Sequence, residues 1–592
     1  MQARGMFWGV FLISLIGTSL FALNTALFIA ENGANVPLRD EWEDQSTSYI
    51  AVKTARGALT FADLFTPFHG HWIAPTKITT VLTTWLTRWD VRAEMVVGFG
   101  VATLTLILIG VLLWRESRWA AALALIPIAA VVYSHRQFQN WLWGLDNCWF
   151  YLNLFGVLAV WAAARQDPTR WRNRWGWMVL ALLASISLGG GIVTWPIIAL
   201  IVWVRGVRDW RFWGLWIGCM GAVYFAFALN NAAISDAYQY GALMNFIGLW
   251  PGFFLALMGS LFVSGYTEYL AVSQWIGAAG IILFIFNMTT LFRRGERRAV
   301  LLWVGLAALT VLGAGLLTIT RAPYTPLIPF ISMMSRFTTI LIPFWAALFG
   351  SGAMVMVGAG RGRWIARVVG VLVVIGLAFA YESAIRIQAS YMRNHIKVGQ
   401  ERCLTEYLIT AWPDGPLAQT CLTRLSDLTD EVEAPVLPGR IADMARLRLG
   451  AFATPPERPF NVGLWLVPGS AFQAMMIEGK TVQAFPHAPS TYWEQNIFLP
   501  DLAWQFSLAV GFTGQVPPGE RLTYRISIAR GGEPFQALIT GEYSGGGIQR
   551  KVADLNGYGG QRVRLRYELD GPAEAVGVWA ASRVVVAAPA KP

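Results

Sequence analysis

The chain has 592 residues, of which 55% are hydrophobic and 14% charged, with a mean hydropathy of +0.47 and a formal net charge of +11. That balance excludes a soluble enzyme and averages an integral membrane part with a more polar part. The positive charge sits mostly in arginine clusters between apolar runs. No zinc-finger spacing, RNP motif or basic stripe with interleaved aromatics accompanies it, so it reads as topology and lipid-surface charge, with membrane lipids and no nucleic acid as partners.

From the N-terminus, Met6 to Ala30 follows only Arg4 and is long enough to span a bilayer, so it reads as an uncleaved first helix rather than a signal peptide. Further spans are predicted at 93 to 114, 119 to 133, 148 to 164, 177 to 190, 191 to 204, 212 to 229, 271 to 292, 299 to 318, 337 to 358 and 365 to 385. The total is about eleven crossings. Arginine clusters at 115 to 118, 165 to 174, 205 to 211, 293 to 298 and 361 to 367 mark the cytoplasmic side, which puts the N-terminus inside and the intervening segments outside. All six lysines (Lys53, Lys77, Lys397, Lys480, Lys551, Lys591) fall on the predicted outer side. The location implied is a membrane crossed many times, with the C-terminal region on the outer side.

Two regions resist the count. Trp177 to Val204 is short for two spans and is interrupted by Gly189-Gly190-Gly191 and Trp195-Pro196; broken backbone at membrane depth must be buried in protein or line a wet cavity. Phe246 to Ser264 is apolar enough to cross, yet a crossing there would carry Arg293, Arg294, Arg297 and Arg298 outside, so it reads as a re-entrant or interfacial hairpin.

After Ser383 charged residues, prolines and alternating patterns replace the apolar runs. The expected organisation is a transmembrane domain over 1–390, a helical disulfide-bearing connector over 391–455 and an extracytoplasmic β-sandwich over 456–592, jelly-roll-like in type. Cys403 and Cys421 bracket a closable loop in an oxidising compartment and are expected to be bridged, whereas Cys148 and Cys219 lie in spans as packing residues. Past the joint at Pro455-Pro456-Glu457-Arg458-Pro459, period-two alternation at Leu522, Tyr524, Ile526, Ile528 and at Val563, Leu565, Tyr567, Leu569 predicts half-buried antiparallel strands. The stretch from Asp554 to Leu565 resembles a segment of jelly-roll carbohydrate-binding modules, and a purely structural sandwich is the alternative.

The chemistry belongs to the outer loops. The first carries Arg39-Asp40-Glu41-Trp42-Glu43-Asp44 and then Phe68-His69-Gly70-His71-Trp72. Carboxylates crowded beside a membrane need a cation, an arginine or a proton to relieve them, although an acidic turn starting a helix is the plain alternative. Asp40 or Glu41 could serve as general base on an acceptor hydroxyl. His69 and His71, two apart, would point the same way on a strand and with Asp40 could hold a divalent metal ion, against the alternative of an interfacial hydrogen-bonded pair. Other outer-loop candidates are His135, Arg136, Asp146, Asp236, Glu268, Arg321 and Arg336. Arg336, just before a span, could grip a phosphate bidentately or simply snorkel to the interface.

On the Asp40-Glu41 motif in a large first outer loop, the many spans and the polar C-terminal domain, residues 1 to about 390 resemble the GT-C glycosyltransferases. These are polyprenyl-phosphate-sugar-dependent enzymes that include protein O-mannosyltransferases, oligosaccharyltransferases and the aminoarabinose transferase of lipid A. The chain looks closest to a bacterial subset with a D-E-W first-loop motif followed by an N-E-H-R-like segment. It keeps Asp40-Glu41-Trp42 and His71 but has Gly70 and Trp72 where that segment carries Glu and Arg. The resemblance implies an inverting transfer from a polyprenyl-phosphate-sugar donor to an envelope glycan, lipid or protein acceptor, with Asp40 as base and Glu41 as second choice. Arg336 and Arg321 are the candidates for the donor phosphate, on position alone. No Gly-rich phosphate loop or DxD motif for a nucleotide sugar occurs in the cytoplasmic loops.

The competing readings are a transporter or flippase of an envelope glycolipid, against which the spans look nearly free of charge, and a non-catalytic scaffold for polysaccharide assembly, which leaves the acidic loop unexplained. The topology is open to test. Reporters fused after residues 170 and 295 are expected to read cytoplasmic, and those after 60 and 450 to read outer; an outer signal at 295 would make Phe246 to Ser264 a true span.

Overall fold

The computed structural model describes residues 2–232, 246–263, 267–326, 328, 330–358, 440, 443–444, 447–450, 473–477, 480–487, 491–499, 504–513, 521–543, 549–558, 561–571 and 576–586. The chain forms two compact units, Met1–Lys397 and Val398–Pro592. The first is helical. Its elements are α1 (Gln2–Asn32), the loop helices α2 (Thr47–Ala55), α3 (Phe61–Phe65) and α4 (Ala74–Thr87), then α5 (Val91–Glu116), α6 (Arg118–Val132), α7 (Phe138–Leu142), α8 (Asn147–Arg165) and α9 (Trp171–Ser187). They continue with α10 (Thr194–Val204), α11 (Trp210–Ala232), α12 (Trp250–Gly259), α13 (Leu270–Arg293), α14 (Arg297–Arg321) and α15 (Ile342–Val357).

Among the described residues eight helices are long and apolar enough to cross a membrane, against about eleven expected. The difference has a physical cause. The expected pair at 177 to 204 forms α9, a 3-10 turn at Gly189–Val193 and α10; at 17 and 11 residues, these helices fall below the length of the eight. The expected span at 365 to 385 lies outside the described residues. The apolar stretch Ile247–Phe262 is likewise short, and Gly259 and Leu255 of this stretch meet Ser273 and Gly277 in the first turns of α13.

Helix ends follow local chemistry: Asp90 caps α5 through the Arg92 amide (3.0 Å), and Ser117 caps α6 through the Ala120 amide (3.2 Å). Arginines gather at one end of the bundle, where Arg165 pairs with Glu116, Arg174 with Asp209, and Arg205 donates to the carbonyls of Ala163 and Gln166 at 2.6 and 2.7 Å. The other end, here the loop end, carries residues 33–90, 133–146 and 322–341. Between them glycines let helices approach closely, as small residues do in membranes: a Cβ on Gly305 would meet Val160 and Ile201 at 2.8 and 2.9 Å, and one on Gly280 would meet Trp345 at 2.7 Å. A small cavity lined by Leu152, Asn153, Gly190, Val193, Leu309 and Ile340 lies beside the α9–α10 break.

Among its described residues the second unit has nine antiparallel strands in two sheets: β1 (Gln473–Ile477), β2 (Lys480–His487), β3 (Thr491–Leu499), β4 (Trp504–Thr513), β5 (Leu522–Arg530), β6 (Gln536–Tyr543), β7 (Gln549–Asp554), β8 (Gln561–Asp570) and β9 (Val576–Val586). The orders are β1-β2-β9-β4-β7 and β3-β8-β5-β6. Both alternating segments read from the sequence are strands, and their apolar residues are buried: β5 with Leu522, Tyr524, Ile526 and Ile528, β8 with Val563, Leu565, Tyr567 and Leu569. They pair in register, Ile526 opposite Tyr567. The sheets touch where the Phe506 and Tyr567 rings stand 6.2 Å apart and where Tyr524 donates to Gln549 (3.1 Å).

The disulfide expectation is corrected. Among the described residues no cysteine pair stands at disulfide distance, and Cys148 and Cys219 are free thiols; Cys403 and Cys421, like most of the expected connector, lie outside the described residues. A closable interval lowers the entropic cost of a bridge but does not supply the Cβ geometry a bridge requires.

The α9–α10 break gives a stability test. A Cβ on Gly191 would fall on the Ala184 carbonyl, whereas one on Gly218 in α11 meets nothing within 4 Å. Gly191→Ala is expected to cost about 1–3 kcal/mol, as overpacking against rigid backbone does, and Gly218→Ala to be neutral or slightly stabilising. Thermal unfolding of each purified variant in lipid measures the contrast.

Candidate active site

The acidic run of the first loop forms a 3-10 turn, Arg39–Trp42, and its two leading carboxylates go opposite ways. Glu41 is fully buried; its oxygens accept from the backbone amides of Leu38 (2.6 Å) and Leu145 (3.1 Å). Burial, with Glu94 adding to it, raises the Glu41 carboxyl well above the usual range against the pull of those amides. Asp40 instead stays part-exposed and faces Arg336, with Oδ2 to Nη1 at 3.5 Å. The turn is pinned by two indoles: Trp42 donates to the Pro37 carbonyl and Trp143 to that of Leu38, both at 2.8 Å.

Arg336 is held from the second loop. Its amide donates to Gln139 Oε1 (3.1 Å) and its carbonyl accepts from Asn140 Nδ2 (3.0 Å). Ser335 donates to the Arg136 carbonyl (2.8 Å), and Thr339 donates to Gln137 (2.6 Å). These contacts join positions about 200 apart and fix the backbone from which the guanidinium extends. Asp146 lies buried within electrostatic reach of both Arg336 and Asp40. Among the described residues, Asp146 Oδ2 and Arg336 Nε are buried without a hydrogen-bond partner. Burial pushes Asp146 up to about 7, Arg336 pulling the other way and Asp40 adding to the rise.

The two histidines diverge. His69 and Gly70 both adopt positive φ (47° and 79°), and Phe68 and His71 exchange backbone hydrogen bonds at 2.8 and 2.9 Å, which makes a two-residue hairpin turn rather than the extended segment expected. His69 Nε2 then meets Glu43 at 2.5 Å. His71 turns inward, 3.3 Å from where a Gly189 Cβ would stand, and burial holds it down to about 4 with Arg321 and His69 adding to the effect. Asp40, His69 and His71 therefore do not gather, and among the described residues no group of three His, Cys, Asp or Glu side chains could hold a metal ion.

The remaining candidates separate. His135 stacks on Phe28 with ring centroids 4.3 Å apart. Arg136 is buried, donating through Nε to the carbonyls of Ser260 (3.2 Å) and Val263 (2.6 Å) and through Nη2 to that of Met333. It ties the end of the apolar stretch Ile247–Phe262 to the loop leading to Arg336. Glu268 is exposed on the turn before α13, and no described contact joins it to the cluster; Asp236 lies outside the described residues.

Sequence reasoning missed four residues. Glu94, in the first turn of α5, is fully buried and accepts from Thr83 (3.2 Å) and Trp89 (3.0 Å); a side chain on Gly144 would collide with it and stand 3.1 Å from Glu41. Gln139 and Asn140 carry no catalytic signature and are placed only by the fold. Lys77 is fully buried, its ammonium donating to the carbonyls of Asp63 (3.1 Å) and Thr66 (2.7 Å).

The raised Asp146 carboxyl carries a pH signature. Its folded value of about 7 exceeds the ordinary 3.8, so between those values the folded state holds a proton that the unfolded state has lost. Stability from this group is thus largest at low pH and falls as pH rises toward 7. Asp146→Asn is expected to flatten the decline of Tm between pH 4.5 and 7 relative to the parent, measured by calorimetry in lipid nanodiscs; an unchanged slope would remove the buried acid from the account.

Compared with known proteins, the chain matches no family model and no curated protein.

Proposed function

We propose that the protein is a GT-C-type membrane glycosyltransferase that moves a sugar from a polyprenyl-phosphate donor to a hydroxyl of a cell-envelope glycan, lipid or protein. The observation that carries the reading is the pairing of Asp40 with Arg336, a part-exposed carboxylate and a part-exposed guanidinium 3.5 Å apart on a buried polar floor. In this reading the loop end faces the outer side of a bacterial inner membrane and the N-terminus is cytoplasmic. The strand unit is an extracytoplasmic jelly-roll-like sandwich.

The chemistry follows from the donor and acceptor capacities of the pair. Asp40 accepts the proton of the acceptor hydroxyl while that oxygen bonds to the anomeric carbon from the face opposite the phosphate. The anomeric carbon–oxygen bond breaks, the electron pair leaves with the polyprenyl phosphate, and the configuration inverts. Arg336, fixed through its backbone by Gln139 and Asn140, meets the phosphate charge; its unpartnered Nε is spare donor capacity for a second oxygen. Arg321, beside His71, is the second cation in range of the same loop. The base role goes to Asp40 alone, since both Glu41 oxygens are spent on backbone amides.

A transport reading draws on the broken α9–α10 pair and on Glu94, a buried carboxyl in a membrane-length helix. One assay separates them: turnover of a polyprenyl-phosphate-sugar by purified protein in lipid. Asp40→Asn is expected to lower turnover by about 10²- to 10⁴-fold while the protein still folds. Arg336→Lys is expected to raise the donor KM, because lysine keeps the charge but loses the planar fork. Full turnover in Asp40→Asn, or donor movement across the bilayer without sugar transfer, would defeat the transferase reading.

A further inference from the structure

Helix α4 is inside out. Its face against the protein is mostly polar: Thr76, Lys77, Thr79, Thr80, Thr83 and Thr84 are buried, with only Ala74 and Val81 as apolar company. Thr79 shares a hydrogen bond with Tyr151 of α8 (2.7 Å), and Thr83 donates to Glu94 of α5 (3.2 Å). Its outward face is apolar, with Ile78, Leu82, Trp85 and Leu86 between 44% and 82% exposed. These four positions, at i, i+4, i+7 and i+8, form one stripe. A helix facing water shows the reverse distribution, so the solvent on this face is not water.

The geometry also limits how α4 lies. At 14 residues it is about 21 Å long, well short of the hydrocarbon thickness. It touches α5, α8 and α9, and the identified contacts fall in the first turns of α5 and α8. A helix laid across the ends of neighbouring membrane helices runs along the membrane rather than through it. At its C-terminus Arg88 and Trp89 both take positive φ (56° and 57°), reversing the chain into α5. The next helix in the chain, α5, is of membrane length and also exposes apolar residues, Val96, Leu104 and Ile107.

We propose that α4 is an in-plane membrane anchor, its Ile78/Leu82/Trp85/Leu86 stripe set into the acyl region of the leaflet at the loop end. The partner is the lipid bilayer itself. Packing against α5, a membrane-length helix that itself exposes apolar residues, argues for lipid over a second protein, and an exposed tryptophan suits the headgroup boundary. The anchor also bears on the candidate site, because the His71 turn leads directly into α4 and Lys77 fastens α3 to it. The inference needs only a membrane-embedded bundle and stands or falls apart from the transferase reading.

The test uses the full chain in phosphatidylcholine–phosphatidylglycerol nanodiscs. In a background with all four cysteines replaced, Ile78→Cys, Leu86→Cys and the loop control Ala58→Cys are labelled with bimane and exposed to doxyl-labelled lipid or aqueous iodide. Expected are severalfold stronger lipid than iodide quenching at 78 and 86, the reverse at 58, and nearly equal depths at 78 and 86. A helix standing upright would separate those depths by about 12 Å and overturn the in-plane placement. Iodide quenching at 86 matching that at 58 would overturn the anchor, as would shielding from both quenchers with cross-linking of Leu86→Cys between copies. Hydroxyl-radical footprinting of the unaltered protein covers failure of the cysteine-free background to fold: protection of Trp85 and Leu86 in nanodiscs supports the anchor, and oxidation at the rate of exposed Tyr492 refutes it.

Discussion

A carboxylate that water cannot reach has to find its hydrogen bonds in the protein, and the candidate site is built around one such group. Glu41 receives the Leu38 and Leu145 amides, which ties the first loop to the second across more than 100 positions. Once that tie is made, Asp40 on the adjacent residue is directed away from the buried floor toward Arg336, and Asp146 follows Leu145 into the same neighbourhood. Removing the Glu41 carboxyl would strand two buried amides, at about 1–3 kcal/mol each. Glu94 sits on the far side of Gly144, so the absence of a side chain at 144 is what lets two buried acids stand together.

Non-helical backbone near a membrane carries the same demand, since unsatisfied amides and carbonyls have no water to turn to. The loop end answers it with side chains. Arg136 fills carbonyls at Ser260, Val263 and Met333, Gln137 fills those of Val131 and Val132, and Asn153 takes that of Thr339. A buried arginine without a carboxylate partner would be costly; three carbonyls, two of them at the end of a helical segment, offset its charge. Arg136 reads as a catalytic candidate in the sequence and as structural support in the fold, because the two roles demand the same side chain.

What was legible in the sequence was whatever a solvent imposes on a stretch of residues. Apolar length marks the eight long helices, arginine clusters mark their common end, and period two marks β5 and β8 with the correct residues buried. Pairings between distant positions were not legible: Asp40 and Arg336 lie 296 positions apart, and nothing local couples them. Glu94 was hidden because one acid in the first turn of an apolar helix looks like an ordinary favourable charge at a helix N-terminus. The histidine spacing misled for a readable reason, since His69-Gly70 is a turn dipeptide and period-two logic applies only to extended chain. Likewise Asp40 and Glu41 are equivalent by composition; only the fold makes one an anchor and leaves the other open.

The Asp40–Arg336 distance itself carries meaning. At 3.5 Å the pair is looser than a charge-assisted hydrogen bond, although both side chains are held near one another by well-formed backbone contacts. A tight bidentate pair would spend the carboxylate's acceptor capacity and the guanidinium's donors on each other. Here the strong contacts lie one residue away, in Glu41 below Asp40 and in Gln139 and Asn140 around Arg336, and the two charges remain available on a partly open face. That division of labour, rigid neighbours bracing under-satisfied charges, suits the proposed transfer, in which one group receives a proton and the other an anion.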